Sequence, residues 1–260
     1  MDTLNSPTHC RLTAAVIALL CCDLTSAGII VTGTRHIYPE RQREITIQLT
    51  NDDPLIPRLV QAWLERGDRP SGPESSDVPF SLSPPVFRID ASKGQAMRLV
   101  YTREPLPIDR ESLFWLNVLE VPPNIQPDAA LEEGEQNYLR FAFRIRTKVF
   151  FRPAGLPGKP EEAPGRLHWS LQRGPQGAQL QVYNPSSYYV TFNEVALAMG
   201  ARLDAAVLPG ETGMVAPGGS LALSIHHSKA AVIPPDAQVQ FKFINDFGAF
   251  SAPQRAPLRF

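Results

Sequence analysis

Residues able to do chemistry are few and scattered in this chain. His226 and His227 are adjacent. On a strand they would point to opposite faces and could not readily share a metal ion, so they read as polar residues at a strand end. His36 and His168 stand alone. The acidic pairs Glu132-Glu133 and Glu161-Glu162 sit in loop-like sequence and read as solvated charges. A glycosidase dyad can be assembled from distant residues, so the sequence leaves one open while offering it no support. No G-x-S-x-G, H-E-x-x-H, Walker A or G-x-G-x-x-G pattern occurs. Binding without catalysis, metal or cofactor is the better reading.

The segment that carries most information is YLRFAFRIRTKVFFRP, residues 138–153. Leu139, Phe141, Phe143 and Ile145 share one parity; Arg140, Ala142, Arg144 and Arg146 share the other. Side chains alternate along a strand, so one face is apolar and the opposite face basic. Two readings fit. One is an ordinary half-buried strand with its apolar face inward. The other is an edge strand that lends its apolar side chains to another protein, since such an edge otherwise invites aggregation.

The elements around this segment read as strands. IIVTGTRHIY (29–38), ITIQLTN (45–51), LVQAWLE (59–65), MRLVYT (97–102) and LFWLNVLEV (113–121) are rich in β-branched and aromatic residues. Breakers such as Asp53-Pro54, Gly72-Pro73, Pro84-Pro85 and Pro122-Pro123 separate them. The pattern resumes in RLHWSLQ (166–172), AQLQVYN (178–184), YYVTFNEVALAM (188–199), GSLALSI (219–225) and VQFKFIN (239–245). Between the two sets lies PAGLPGKPEEAPG (153–165), with four prolines and three glycines. It reads as a hinge. The expected fold is all-β, two sandwich domains, with no helix expected. The 26 prolines in 260 residues disfavour helical bundles, because each fixes φ and removes a donor.

Eleven apolar residues, LTAAVIALLCC (12–22), follow Arg11 and precede Thr25-Ser26-Ala27. The run is too short to span a bilayer and suits a signal-peptide core, with cleavage expected after Ala27. All three cysteines lie in the first 22 residues, so the mature chain would hold none. Structural disulfides and Cys₄ zinc sites are then excluded. Removing residues 1–27 leaves 24 basic and 24 acidic residues. No global basic field exists to attract nucleic acid.

Along residues 28–260 the chain resembles the periplasmic pilus-assembly chaperones of the chaperone–usher pathway. TGTRHIYPE (32–40), LVQAWLE, SPPVFRI (83–89), DRESLFWLNVLEVPP (109–123), KVFFRP (148–153), NPSSYYVTF (184–192) and INDFGA (244–249) carry the resemblance, in family order. It implies two immunoglobulin-like β-sandwich domains in a boomerang arrangement. The expected organisation is a signal peptide at 1–27, an N-terminal domain with the donor strand at 28–153, a hinge at 154–165 and a C-terminal domain at 166–260.

The resemblance also implies roles. Leu139, Phe141, Phe143 and Ile145 align with donor side chains that fill the groove of an incomplete pilus or fimbrial subunit. Arg35 and Lys148 match the two basic residues that anchor the subunit's C-terminal carboxylate. Glu111, Arg152 and Asp246 match an inter-domain ion network, and Pro84-Pro85 a site with a cis bond. Lys148 has the opposite parity to Phe143, so the anchor should face away from the donor row unless a bulge intervenes. Arg140, Arg144 and Arg146 are a departure from the family; they either meet acidic subunit surfaces or are solvated. The acidic stretch 124–137 lacks the bracketing cysteines of the long-loop branch, which points to the short-loop branch. Expected partners are pilus or fimbrial subunits, an outer-membrane usher and, by self-capping, a second copy. No ATP site or cofactor is expected. The alternatives are a two-domain adhesin or pilin-like subunit, and a sandwich-fold hydrolase or lectin.

Overall fold

A computed structural model describes residues 28–67, 72–121, 141–174, 177–202, 206–225 and 233–259. The leader with its cysteines, the acidic stretch 124–137, Leu139, Arg140 and His226-His227 lie outside the described residues. The first nine strands are β1 (Ile29–Val31), β2 (Arg35–Pro39), β3 (Glu44–Asn51), β4 (Arg58–Glu65), β5 (Phe80–Ser83), β6 (Val86–Ile89), β7 (Gly94–Tyr101), β8 (Ser112–Val121) and β9 (Phe143–Arg152). They form two sheets, ordered β1-β3-β7-β5 and β2-β9-β8-β4-β6. Period-two patterning builds the core between them. Ile47 and Leu49 on β3, and Met97 and Leu99 on β7, point inward and are buried. Tyr38, Phe80, Tyr101, Phe114 and Phe151 form a contiguous aromatic cluster there. The Tyr38 hydroxyl accepts from the Tyr101 amide at 3.0 Å and donates to the Arg43 carbonyl at 2.9 Å, so its burial leaves no polar debt.

The expected single strand at 29–38 is two strands on different sheets. β1 pairs with β3, while β2 pairs in parallel with β9. The break at 32–34 carries the chain from one sheet to the other.

The second set comprises β10 (His168–Gly174), β11 (Gly177–Tyr183), β12 (Val190–Ala198), β13 (Val207–Pro209), β14 (Met214–Val215), β15 (Ser220–Ser224), β16 (Gln238–Phe243) and β17 (Gln254–Arg259). The path runs β13-β12-β16-β17-β10-β11-β15, with β14 on β12. Trp169, Phe192 and Phe241 centre its core, with ring centroids 5.4–5.8 Å apart. β17 gives no clear strand signal in sequence, because QRAPLR holds Pro257 and two arginines. Yet it joins the two halves of the path, antiparallel to β16 and parallel to β10.

The proline-rich segment holds a 3₁₀ turn, Pro160–Arg166. Its Ala163 is buried in the second core and Leu156 packs against it. That turn was not expected, since Pro and Gly dominate its composition. Among the described residues no helix is long and apolar enough to cross a membrane.

Candidate functional site

β9 passes from buried to exposed along one face. Val149 and Phe151 lie in the first core, and Ile145 is half-buried against it. Phe143, on the same face, is 58% exposed, and Phe141 just ahead of the strand is 59% exposed. Their rings sit side by side, with centroids 6.3 Å apart. Two of the expected donor residues therefore project beyond their own sandwich. Ile145 differs, because its own core already holds it.

The outer edge of β9 also divides, a few residues further along. β2 covers Lys148–Arg152, in register from Arg35↔Lys148 to Pro39↔Arg152. Residues 143–147 have no strand on that side among the described residues. The reading of β9 as an edge strand thus applies to its first half only. A row of unpaired backbone groups and the two phenylalanines occur together.

Arg35 and Lys148, 113 positions apart in sequence, are registered neighbours. β9 pairs with β8 without interruption from Ser112↔Phe151 to Glu120↔Phe143. No bulge intervenes, so Lys148 faces away from Phe143, as its parity requires. Neither cation has a carboxylate within ion-pair distance among the described residues. Arg35 donates one Nη1–H to the Ile244 carbonyl at 2.9 Å, and its guanidinium lies 5.6 Å from the Phe150 ring centre. Its Nε is buried with no partner. Burial lowers the Lys148 ammonium below its usual range, and neighbouring Arg35 lowers it further. Burial also lowers Arg35, opposed by Asp246 and Glu111. Two partly buried, undercompensated cations form a ready site for an anion.

Glu111, Arg152 and Asp246 do meet. Arg152 donates Nε–H to Glu111 at 2.7 Å and a bidentate pair to Asp246 at 2.6 and 2.9 Å. Burial opposes the Arg152 charge, but the two carboxylates outweigh it and raise its pKa. Burial raises the Glu111 carboxyl, partly offset by Arg152 and by the Tyr189 amide. Two local turns aim these groups. In NPSSYY, Asn184 Oδ1 accepts the Ser186 amide at 3.0 Å, and the turn presents the Tyr189 amide to Glu111 at 2.8 Å. In INDFGA, Asn245 Oδ1 accepts the amides of Phe247 and Ala249, both at 3.0 Å. Gly248 closes that turn at φ +81°, and a Cβ there would sit 2.9 Å from Thr34 Oγ1. The turn carries Asp246 to Arg152 and the Ile244 carbonyl to Arg35. The Ser83–Pro84 bond is cis. Among the described residues no three His, Cys, Asp or Glu side chains group to hold a metal.

Sequence reasoning missed the partners of the arginines. Arg144 and Arg146 are neither free cations nor simply solvated: both pair with Glu65 of β4, at 3.1 and 2.7 Å. Glu65 closes the run LVQAWLE, and nothing local marks it as buried.

Residues 28–157 match the family of pili and flagellar-assembly chaperones, PapD N-terminal domain, and residues 162–255 match the pili assembly chaperone PapD, C-terminal domain. The chain is 42% identical to a probable fimbrial chaperone, YadV, of Escherichia coli K12, over 91% of this chain and 94% of that one. It is 37% identical to the chaperone protein FimB/FhaD of Bordetella pertussis, over 94% and 93%. The fold is similar to the crystal structure of the YadV chaperone, with a TM-score of 0.70 at 39% identity, covering 88% of this chain and 99% of that one. It is also similar to a structure of a Salmonella enterica SafA pilin in complex with the SafB chaperone, with a TM-score of 0.68 at 28% identity, covering 89% and 96%.

Proposed function

The chain belongs to the PapD-type family of pili assembly chaperones, and on that premise we propose that it binds pilus or fimbrial subunits in the periplasm by lending them β9. The observation that carries this reading is the conjunction at residues 141–147. Along the edge that β2 leaves uncovered, the apolar row passes from Ile145 on its own core to the exposed Phe143 and Phe141. A subunit lacking one strand would pair with that edge and bury Phe141 and Phe143, with Leu139 continuing the row. Each large apolar side chain so buried is worth ~1.5–3 kcal/mol before ordering costs. Family membership displaces the adhesin and hydrolase readings.

Arg35 and Lys148 would take the subunit's terminal carboxylate. That contact fixes register, and a slip of one residue would turn the donor face outward. Glu111, Arg152 and Asp246 would hold the angle between a domain at 28–153 and one at 166–260, across 154–165. Residues 1–27 would direct export and be removed. The loaded chaperone would deliver its client to an outer-membrane usher. Without a client, the same edge would be capped by a second copy of the chain.

Co-expression of a candidate subunit with the wild-type chain, Arg35→Ala or Lys148→Ala tests the reading. Periplasmic subunit levels should fall in both variants. Normal levels in both would overturn the anchor assignment.

A further inference from the structure

A cavity of about 200 Å³ lies where Arg35 meets the second half of the chain. Two strand ends wall it: Val190 opens β12 and Phe243 closes β16, and both pack with the second core. Tyr189 and Ile244 line it beside them, and the 3₁₀ turn contributes Pro164. Such a wall suits a carbon body better than water.

Two features set this cavity apart from a packing gap. Arg35 brings it a cation with an open valence. Its Nη1–H is taken by the Ile244 carbonyl, but its buried Nε has no partner among the described residues. Asp246 lines the cavity too, yet Arg152 already holds both of its carboxylate oxygens. The other feature is Phe247, which lines the cavity while 92% exposed. Its place is fixed, because Asn245 Oδ1 accepts its amide at 3.0 Å. Phe250, 69% exposed, sits on the returning arm of the same turn, bridged to Ile244. Large apolar side chains held out in water beside a cavity mark a surface that a partner covers.

Arg35 belongs both to the anchor and to this cavity. The open edge of β9 ends at Thr147, and β2 takes over from Arg35↔Lys148 onward. A client strand on the open edge must therefore stop, or leave the edge, beside Arg35. A terminal carboxylate held there is next to the cavity, because the same residue lines it. We propose that the cavity receives the side chain of the client's last residue, and so selects clients that end in a large, uncharged apolar or aromatic residue. This inference rests on the anchor reading above. The backbone carboxylate takes the cation and the side chain takes the apolar wall, so one residue satisfies both halves of the site. An acidic side chain would instead meet Asp246 and Glu161 on the wall.

Nine-residue peptides of alternating Val and Thr, carrying a dye at the N-terminus, test this by fluorescence anisotropy on the purified chain. One ends in Phe, one in Ser, and one in Phe with its terminal carboxylate amidated. The Phe peptide should bind about tenfold more tightly than the Ser peptide, the low end of what burying one large apolar side chain gives. That preference should survive at ~1 M salt, because it is not ionic. The amide should bind about tenfold more weakly than the free acid, the scale of one charged hydrogen bond. Phe247→Ser alters an exposed residue and should fold normally. It should cut the preference for Phe over Ser to about threefold or less, since part of the wall is gone. Equal binding of the Phe and Ser peptides, with the amide still weaker, overturns the proposal and leaves the anchor reading standing. A full preference retained by Phe247→Ser overturns the assignment to this cavity. Equal binding of acid and amide overturns the anchor reading, and this inference with it. If no peptide binds, both fail.

Discussion

At the scale of the residue, the decisive feature is a pair of cations with no carboxylate in ion-pair contact among the described residues. Arg35 keeps a buried Nε unsatisfied, and the Lys148 ammonium is lowered first by burial and then by Arg35. An arriving carboxylate would relieve both. A charged hydrogen bond is worth ~1.5–3 kcal/mol, so Arg35→Ala should weaken client binding by about 30-fold, measured by titration against a purified subunit. His36 gives a separate prediction. Burial lowers its pKa to about 4, and its Nε2 has no hydrogen-bond partner. The unfolded chain binds this proton near pH 6.5 and the folded chain only near pH 4, so stability rises with pH across that window. Acidification from pH 7 to pH 4 should cost about 3 kcal/mol through His36 alone. Urea denaturation of wild type and His36→Phe at both pH values measures this as a difference in slope. Parallel losses in the two proteins would refute it.

At the scale of the element, β9 holds two roles on one face. Phe143 is exposed while Ile145 packs on its own core, so truncations at the two positions should separate binding from stability. Phe143→Ala should change unfolding free energy by under ~0.5 kcal/mol, yet weaken client binding by at least tenfold. Ile145→Ala should cost roughly 1 kcal/mol of stability, because it removes part of a half-buried side chain. Chemical denaturation and subunit titration of both variants decide the matter. Equal stability losses would mean that Phe143 belongs to the chaperone's own core.

At the scale of the molecule, one arginine joins the two cores. Arg152 sits on β9 yet pairs with Glu111 ahead of β8 and with Asp246 in the second half. Buried ion clusters are weak stabilisers but specify geometry. Arg152→Ala would leave Glu111 buried without its counter-charge. The expected outcome is a wider spread of inter-domain distances in small-angle scattering and faster proteolysis within 153–159. The aromatic circular dichroism of each core should persist. Unchanged scattering would show that the Glu111 amide to Ser187 carbonyl bond, 2.9 Å long, and the Phe150–Tyr189 ring contact fix the junction without it.

Much of this was legible in the sequence because strand periodicity is local. Alternation put Phe141 and Phe143 on the face opposite Arg144 and Arg146, and the parity of Lys148 told its side correctly, because no bulge interrupts β9. The split of 29–38 into β1 and β2 was not legible, since apolar content alone does not say that a chain changes sheets. Nor was the burial of Glu65 beneath Arg144 and Arg146, residues 79 and 81 positions away. Whether the apolar row was core or surface depended on how far the first core reaches along β9: Ile145 packs on it and Phe143 does not. Local pattern fixes which way a side chain points along its strand; only the pairing of distant strands decides what stands in front of it.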